Sequence, residues 1–79
     1  MRIDKYLKVS RLIKRRTVAA EACEGGRVLL NDKPCKPSAQ VKEGDRITIR
    51  FGNREVSAEV LSLAESVRKE DAENMYRYL

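Results

Sequence analysis

Between Ile3 and Ile13 the apolar residues fall at 3, 6, 7, 9, 12 and 13, a spacing that predicts a helix rather than an alternating strand. At about 100° per residue, Ile3, Tyr6, Leu7, Ser10 and Ile13 gather on one side of it and Lys8, Arg11 and Arg15 on another. The first helix therefore has a core face and a cationic face. Asp4, near its start, fits a cap or a favourable charge at the positive helix end, worth about 0.5–1 kcal/mol. Its alternative use is to orient a neighbouring arginine such as Arg11. A second helix is expected in "KRRTVAAEACEGG", with alanines inside it, Thr17 as a plausible cap and Gly25-Gly26 as the left-handed stop. Its small residues allow close packing on the first helix, so the basic "KRR" falls in the tight connection between them.

The pattern then changes period. "RVLLNDKPC" predicts a strand, a turn at Asn31-Asp32 and a departing strand limited by Pro34. After a loop and a Glu43-Gly44-Asp45 turn, Ile47, Ile49 and Phe51 alternate with Arg46, Thr48 and Arg50. The chain turns again at Gly52-Asn53, and Val56, Ala58, Val60 and Ser62 alternate on the return, which completes a hairpin. In "SVRKEDAENMYRYL" the residues Ala72, Met75, Tyr76 and Leu79 stand at i, i+3, i+4 and i+7, predicting a short amphipathic C-terminal helix packed on the core or serving as a docking face. Helices first and strands after give an α+β domain, with two N-terminal helices packed on a small, curved, mostly antiparallel sheet and a short C-terminal helix.

Composition narrows the function. The 79 residues allow one small domain, spanning 1–79, with 42% hydrophobic and 37% charged residues, as in a folded chain with a modest core. The first sixteen residues hold seven Lys and Arg against one acid, Asp4, whereas the remainder has ten basic and eleven acidic side chains. The net charge of +5 is thus a patch, and a patch of one sign calls for a partner of the other.

Histidine is absent and Cys23 and Cys35 form no CxxC pair, so the common zinc sets are not available and each cysteine is expected to be a small buried hydrophobe. No phosphate loop, nucleophile with a base, or paired carboxylates occur. The chain is expected to be a binding module rather than an enzyme, with no cofactor and no metal. No run of ~18 apolar residues exists to span a bilayer, which points to a cytoplasmic protein without a membrane partner. With four aromatic residues, and only the core-face Tyr6 within the cationic segment, recognition of structured RNA by shape and phosphate contacts fits better than base stacking on a single strand.

At this point "RIDKYLKVSRLIKRRTVAAEACEGGRVLLNDKPCKPSAQVKEGDRITI" resembles the S4 RNA-binding domain, or αL motif. That pattern has an Arg-Leu/Ile-Asp start, a basic helix-loop-helix, a glycine, a V-x-V-N-G hairpin and a P-S-x-x-V-x-x-G-D turn. The likeness covers residues 2 to about 50, leaving the hairpin and helix of 51–79 as an addition. Asp32 stands where Gly is usual, and Arg15 stands where Ser is common, which moves the expected helix cap to Thr17. The opening "YLKVSRLIKRR" and the closing "AENMYRYL" are most similar to the small S4 proteins of bacterial ribosome-associated quality control.

The resemblance implies a non-enzymatic factor that binds large ribosomal subunits obstructed by peptidyl-tRNA. It would contact ribosomal RNA and P-site tRNA beside the NEMF-family factor that adds alanine tails, and be a monomer when free, with no small-molecule substrate. Arg2, Lys8, Arg11, Arg15 and Arg16 are the expected phosphate contacts, Lys14 and Thr17 support them, and Asn31 and Lys33 at the hairpin tip are expected to touch RNA as well. The alternative is a general large-subunit-binding S4 heat-shock protein.

Overall fold

Residues 1–65 and 67–79 of the chain are described by a computed structural model. The order is α1 (Ile3–Val9), α2 (Arg16–Glu24), β1 (Val28–Leu30), β2 (Lys33–Pro34), β3 (Arg46–Phe51), β4 (Arg54–Val60), a 3-10 helix (Lys69–Met75) and β5 (Tyr76–Tyr78). The five strands form one antiparallel sheet in the order β2-β1-β3-β4-β5. This is the α+β arrangement the pattern predicts. No helix among the described residues is long and apolar enough to cross a membrane.

Helix α1 is shorter than its apolar spacing suggests. It stops at Val9, and Arg11 adopts a left-handed backbone with φ 64°. The Arg11 N–H donates to the Lys8 carbonyl at 3.1 Å and the Ile13 N–H to the Leu7 carbonyl at 3.1 Å, so the chain folds back over its own last turn. That reversal buries Ile13 without a helical backbone, which is why the spacing through residue 13 imitates a longer helix.

Helix α2 starts at Arg16, and its N-cap is Arg15 with no side-chain cap hydrogen bond. Thr17 is the second residue of this helix and not its cap, a correction to the sequence reading. At the other end Gly26 takes φ 73°, its N–H donating to Cys23 O at 3.1 Å while Arg27 N–H donates to Ala22 O at 2.9 Å. These two bonds form a Schellman motif, which glycine adopts without the Cβ clash of a left-handed residue.

The first hairpin turns through Asn31 and Asp32, both at positive φ (52° and 70°), as the tight primed turn requires even without glycine. The core joins Ile3, Tyr6 and Leu7 of α1 and Ala19, Ala22 and Cys23 of α2 to Val28, Ile47, Ile49 and Val60 from the sheet. Each large apolar side chain in it contributes roughly 1.5–3 kcal/mol. Two expectations about that core need adjustment. Phe51, placed on the inner face by alternation, is exposed at the end of β3, and Cys35 is only half-buried.

The C-terminal helix is present as a 3-10 helix that buries Ala72 and Met75. It ends where the Met75 carbonyl accepts the Tyr6 hydroxyl at 2.7 Å and the Leu61 N–H at 2.8 Å. The backbone then opens to the extended strand β5, leaving Tyr76 half-buried and Leu79 61% exposed. Ser66, the first residue of the predicted helix, lies outside the described residues.

Candidate nucleic-acid interface

The N-terminal strand-like residues preceding α1 are tied down on the segment before β3. Ile3 N–H donates to Ala39 O at 2.8 Å, Val41 N–H to Met1 O at 2.9 Å, and Arg2 forms an antiparallel bridge with Gln40. The backbone of Arg2 is therefore fixed before its side chain is considered.

Asp4 then organises two arginines. Its carboxylate is 5% exposed, accepts from Arg2 Nη2 at 3.2 Å through Oδ2 and from Arg16 Nη2 at 3.5 Å through Oδ1, and also takes the Lys5 N–H at 2.8 Å. The two arginine side chains remain 48% and 47% exposed. A buried carboxylate thus holds the inner edge of each arginine while the outer N–H groups face solvent, free to donate to phosphate. Sequence reading treats Asp4 mainly as a helix-end charge and Arg11 as its alternative partner. The structure pairs it instead with Arg2 and with Arg16, twelve positions away. The only signal in the chain was an acid isolated among cations.

Lys8 and Arg11 border one shallow depression of about 80 Å³ together with Glu65. Lys5 is drawn to Glu65 by an ion pair, and that hydrogen bond and charge hold the Glu65 carboxyl below its ordinary value. Lys8, Arg11, Lys14 and Arg15 are exposed and have no carboxylate partner among the described residues. Arg15 and Arg16 stand at the start of α2, whose uncapped N–H groups add positive potential there. Thr17 is exposed on the first turn beside them.

The hairpin residues differ. Asn31 is occupied by structure: its Nδ2 donates to Asp45 at 3.1 Å, and its Oδ1 accepts the Arg46 N–H at 2.9 Å. Lys33 is exposed on β2. Among the described residues no hydrogen bond or ion pair joins either to the helical cations. The structure brings Arg2 and Arg16 together, places Lys8 beside Arg11, and leaves Asn31 and Lys33 apart from both pairs.

The S4 domain profile matches residues 1–47, the part that carries all of these groups except Glu65. Two relatives share the name RQC P-site tRNA stabilizing factor. The one from Halalkalibacterium halodurans is 54% identical over 96% of this chain and 86% of its own length, and the one from Bacillus subtilis is 51% identical over 100% and 92%. Among solved structures, trimeric heat shock protein 15 from Vibrio cholerae superimposes with a TM-score of 0.92 at 34% identity, covering 100% of this chain and 81% of that one.

Proposed function

Because the chain belongs to the S4 domain family and, within it, to the RQC P-site tRNA stabilizing factors, we propose that it holds peptidyl-tRNA in the P site of an obstructed large ribosomal subunit. In this reading it performs no chemistry, works in the cytoplasm as a monomer when free, and supports alanine tailing of the stalled chain by a NEMF-family factor. Arg2, Lys8, Arg11, Arg15 and Arg16 contact phosphates of ribosomal RNA and tRNA, and Lys14 and Thr17 lie beside them. Preference for one tRNA state needs only a difference in affinity between states.

The observation that supports this most is the pairing pattern. Lys8, Arg11, Lys14 and Arg15 lack carboxylate partners among the described residues, and Arg2 and Arg16 are oriented without being neutralised over their whole surface. A second reading, a general large-subunit-binding heat-shock protein, is favoured by the close superposition on heat shock protein 15.

Affinity purification of the full chain from cells separates the two. The copurifying large subunits are expected to be enriched in tRNA over the bulk pool, and Arg16→Ala is expected to lower their recovery. Subunits with no enrichment of tRNA would favour the second reading, and unchanged recovery with Arg16→Ala would remove Arg16 from the interface.

A further inference from the structure

A groove of about 700 Å³ opens between α2 and the segment that follows β2. Ala20 and Cys23 line it from the helix, with Cys35 and Pro37 from the opposite segment, so its floor is apolar. Burial and the neighbouring Cys35 push the Cys23 thiol up to about 12, and burial raises Cys35, so both sulfurs stay protonated and the floor carries no charge. The volume lies within the ~300–1,000 Å³ of small-molecule sites.

Three charged residues border this floor. Arg2, shared with the Asp4 pair, and Lys36 are cations on the same groove. The third, Glu24, is an anomaly. It occupies the last turn of α2, where the helix dipole disfavours an anion, is exposed, and has no cationic partner among the described residues. A carboxylate repels phosphate but accepts hydrogen bonds from a base edge that presents donors. An unpaired guanine offers two adjacent donors, N1–H and the N2 amino group, to one carboxylate, whereas adenine offers only its N6 amino group.

We infer that this groove receives one unpaired guanosine of the bound RNA, its base on the apolar floor against Glu24 and its flanking phosphates on Arg2 and Lys36. The inference rests on the proposed RNA-binding reading and deepens it: the helical cations grip the backbone, and the adjoining groove reads one unstacked nucleotide, as RNA sequence is usually read at loops and bulges.

The test uses three RNA stems, fully paired, with one bulged guanosine, and with one bulged adenosine, titrated against the full chain. Wild type is expected to bind all three, with the bulged guanosine preferred over each of the others by at least about fivefold, the lower end for bidentate base recognition. Ala20→Phe, which fills the floor, is expected to abolish the preference for the bulge and leave the affinity for the paired stem unchanged. Glu24→Gln, at an exposed position where folding is not at stake, is expected to erase the discrimination between guanosine and adenosine. Failure of wild type to bind even the paired stem would overturn the phosphate grip and the groove with it. Binding of the paired stem with no preference for bulged guanosine would overturn the groove alone, as would a preference that survives both substitutions.

Discussion

The helical end and the sheet of this molecule carry similar arginines and use them differently. On the sheet, Arg50 faces Glu55 and Arg77 faces Glu59 as directly opposed cross-strand neighbours, and Arg46 at the start of β3 pairs with Asp32 in the β1–β2 turn. Register supplies Arg50 and Arg77 with their carboxylates, the turn supplies Arg46 with its own, and such exposed pairs contribute only about 0–1 kcal/mol each. In the first sixteen residues the single acid, Asp4, is shared between two arginines, and Lys8, Arg11, Lys14 and Arg15 find no acid among the described residues. The difference teaches that a count of charges says little about binding. Arg54 on β4 also has no acid partner among the described residues, so what sets the helical end apart is the crowding of unpaired cations within residues 8–15.

Charge reversal gives the largest contrast between the two regions. Arg15→Glu with Arg16→Glu is expected to weaken binding to a structured RNA by at least about 100-fold, because two attractions become repulsions. Arg50→Ala, which breaks a sheet pair, is expected to change the same affinity less than about twofold and stability by no more than about 0.5 kcal/mol. Fluorescence anisotropy with one labelled RNA measures both, and equal losses would erase the distinction.

Asp4→Asn probes the shared acid. It removes the charge between Arg2 and Arg16 while keeping the shape, and is expected to cost about 1–2 kcal/mol of stability as charged hydrogen bonds are lost. In a domain of this size that lowers the thermal midpoint by roughly 5–10 °C, readable by circular dichroism. RNA affinity is expected to fall as well, since the two guanidinium groups lose their common anchor. An unchanged midpoint would mean that Asp4 does not hold them.

Arg11→Gly is a small effect at the helical end and the most informative in sign. Arg11 stands at a left-handed position that glycine occupies more readily. The substitution is expected to raise stability by about 0.5–1 kcal/mol in chemical denaturation while weakening RNA binding. A variant that loses both would show that the arginine side chain serves the fold rather than a ligand.

Much of this arrangement was legible in the chain. The change of period after Gly26, the turn at Asn31-Asp32 and the alternation over β3 and β4 are local signals, and they locate two helices and the hairpins. Elements decided by distant contacts were not. Helix α1 ends at Val9 because the chain reverses through Arg11, yet Leu12 and Ile13 keep a helical spacing. The last three paired residues form β5 because β4 offers Ala58, Glu59 and Val60 as partners, an offer invisible in the i, i+3, i+4, i+7 pattern of the segment itself.

The candidate site divides in the same way. The cations announce themselves by density in the first sixteen residues. The role of Asp4 depends on Arg16 arriving from a second helix, and the groove depends on Cys35 and Lys36 folding beside Ala20 and Glu24. Asn31 carries a hairpin signal, but its side chain is taken up by Asp45 and Arg46.

The salt dependence of RNA affinity tests the central claim most directly. With some five phosphates engaged, raising salt from about 50 to about 200 mM is expected to weaken binding by roughly 10²- to 10³-fold, with log K linear in log salt. The slope is expected to shrink by about one when Arg16 is replaced by Ala and to stay the same when Arg50 is replaced by Ala. An affinity indifferent to salt, or a slope that responds equally to both substitutions, would contradict the assignment of the helical cations as the RNA grip.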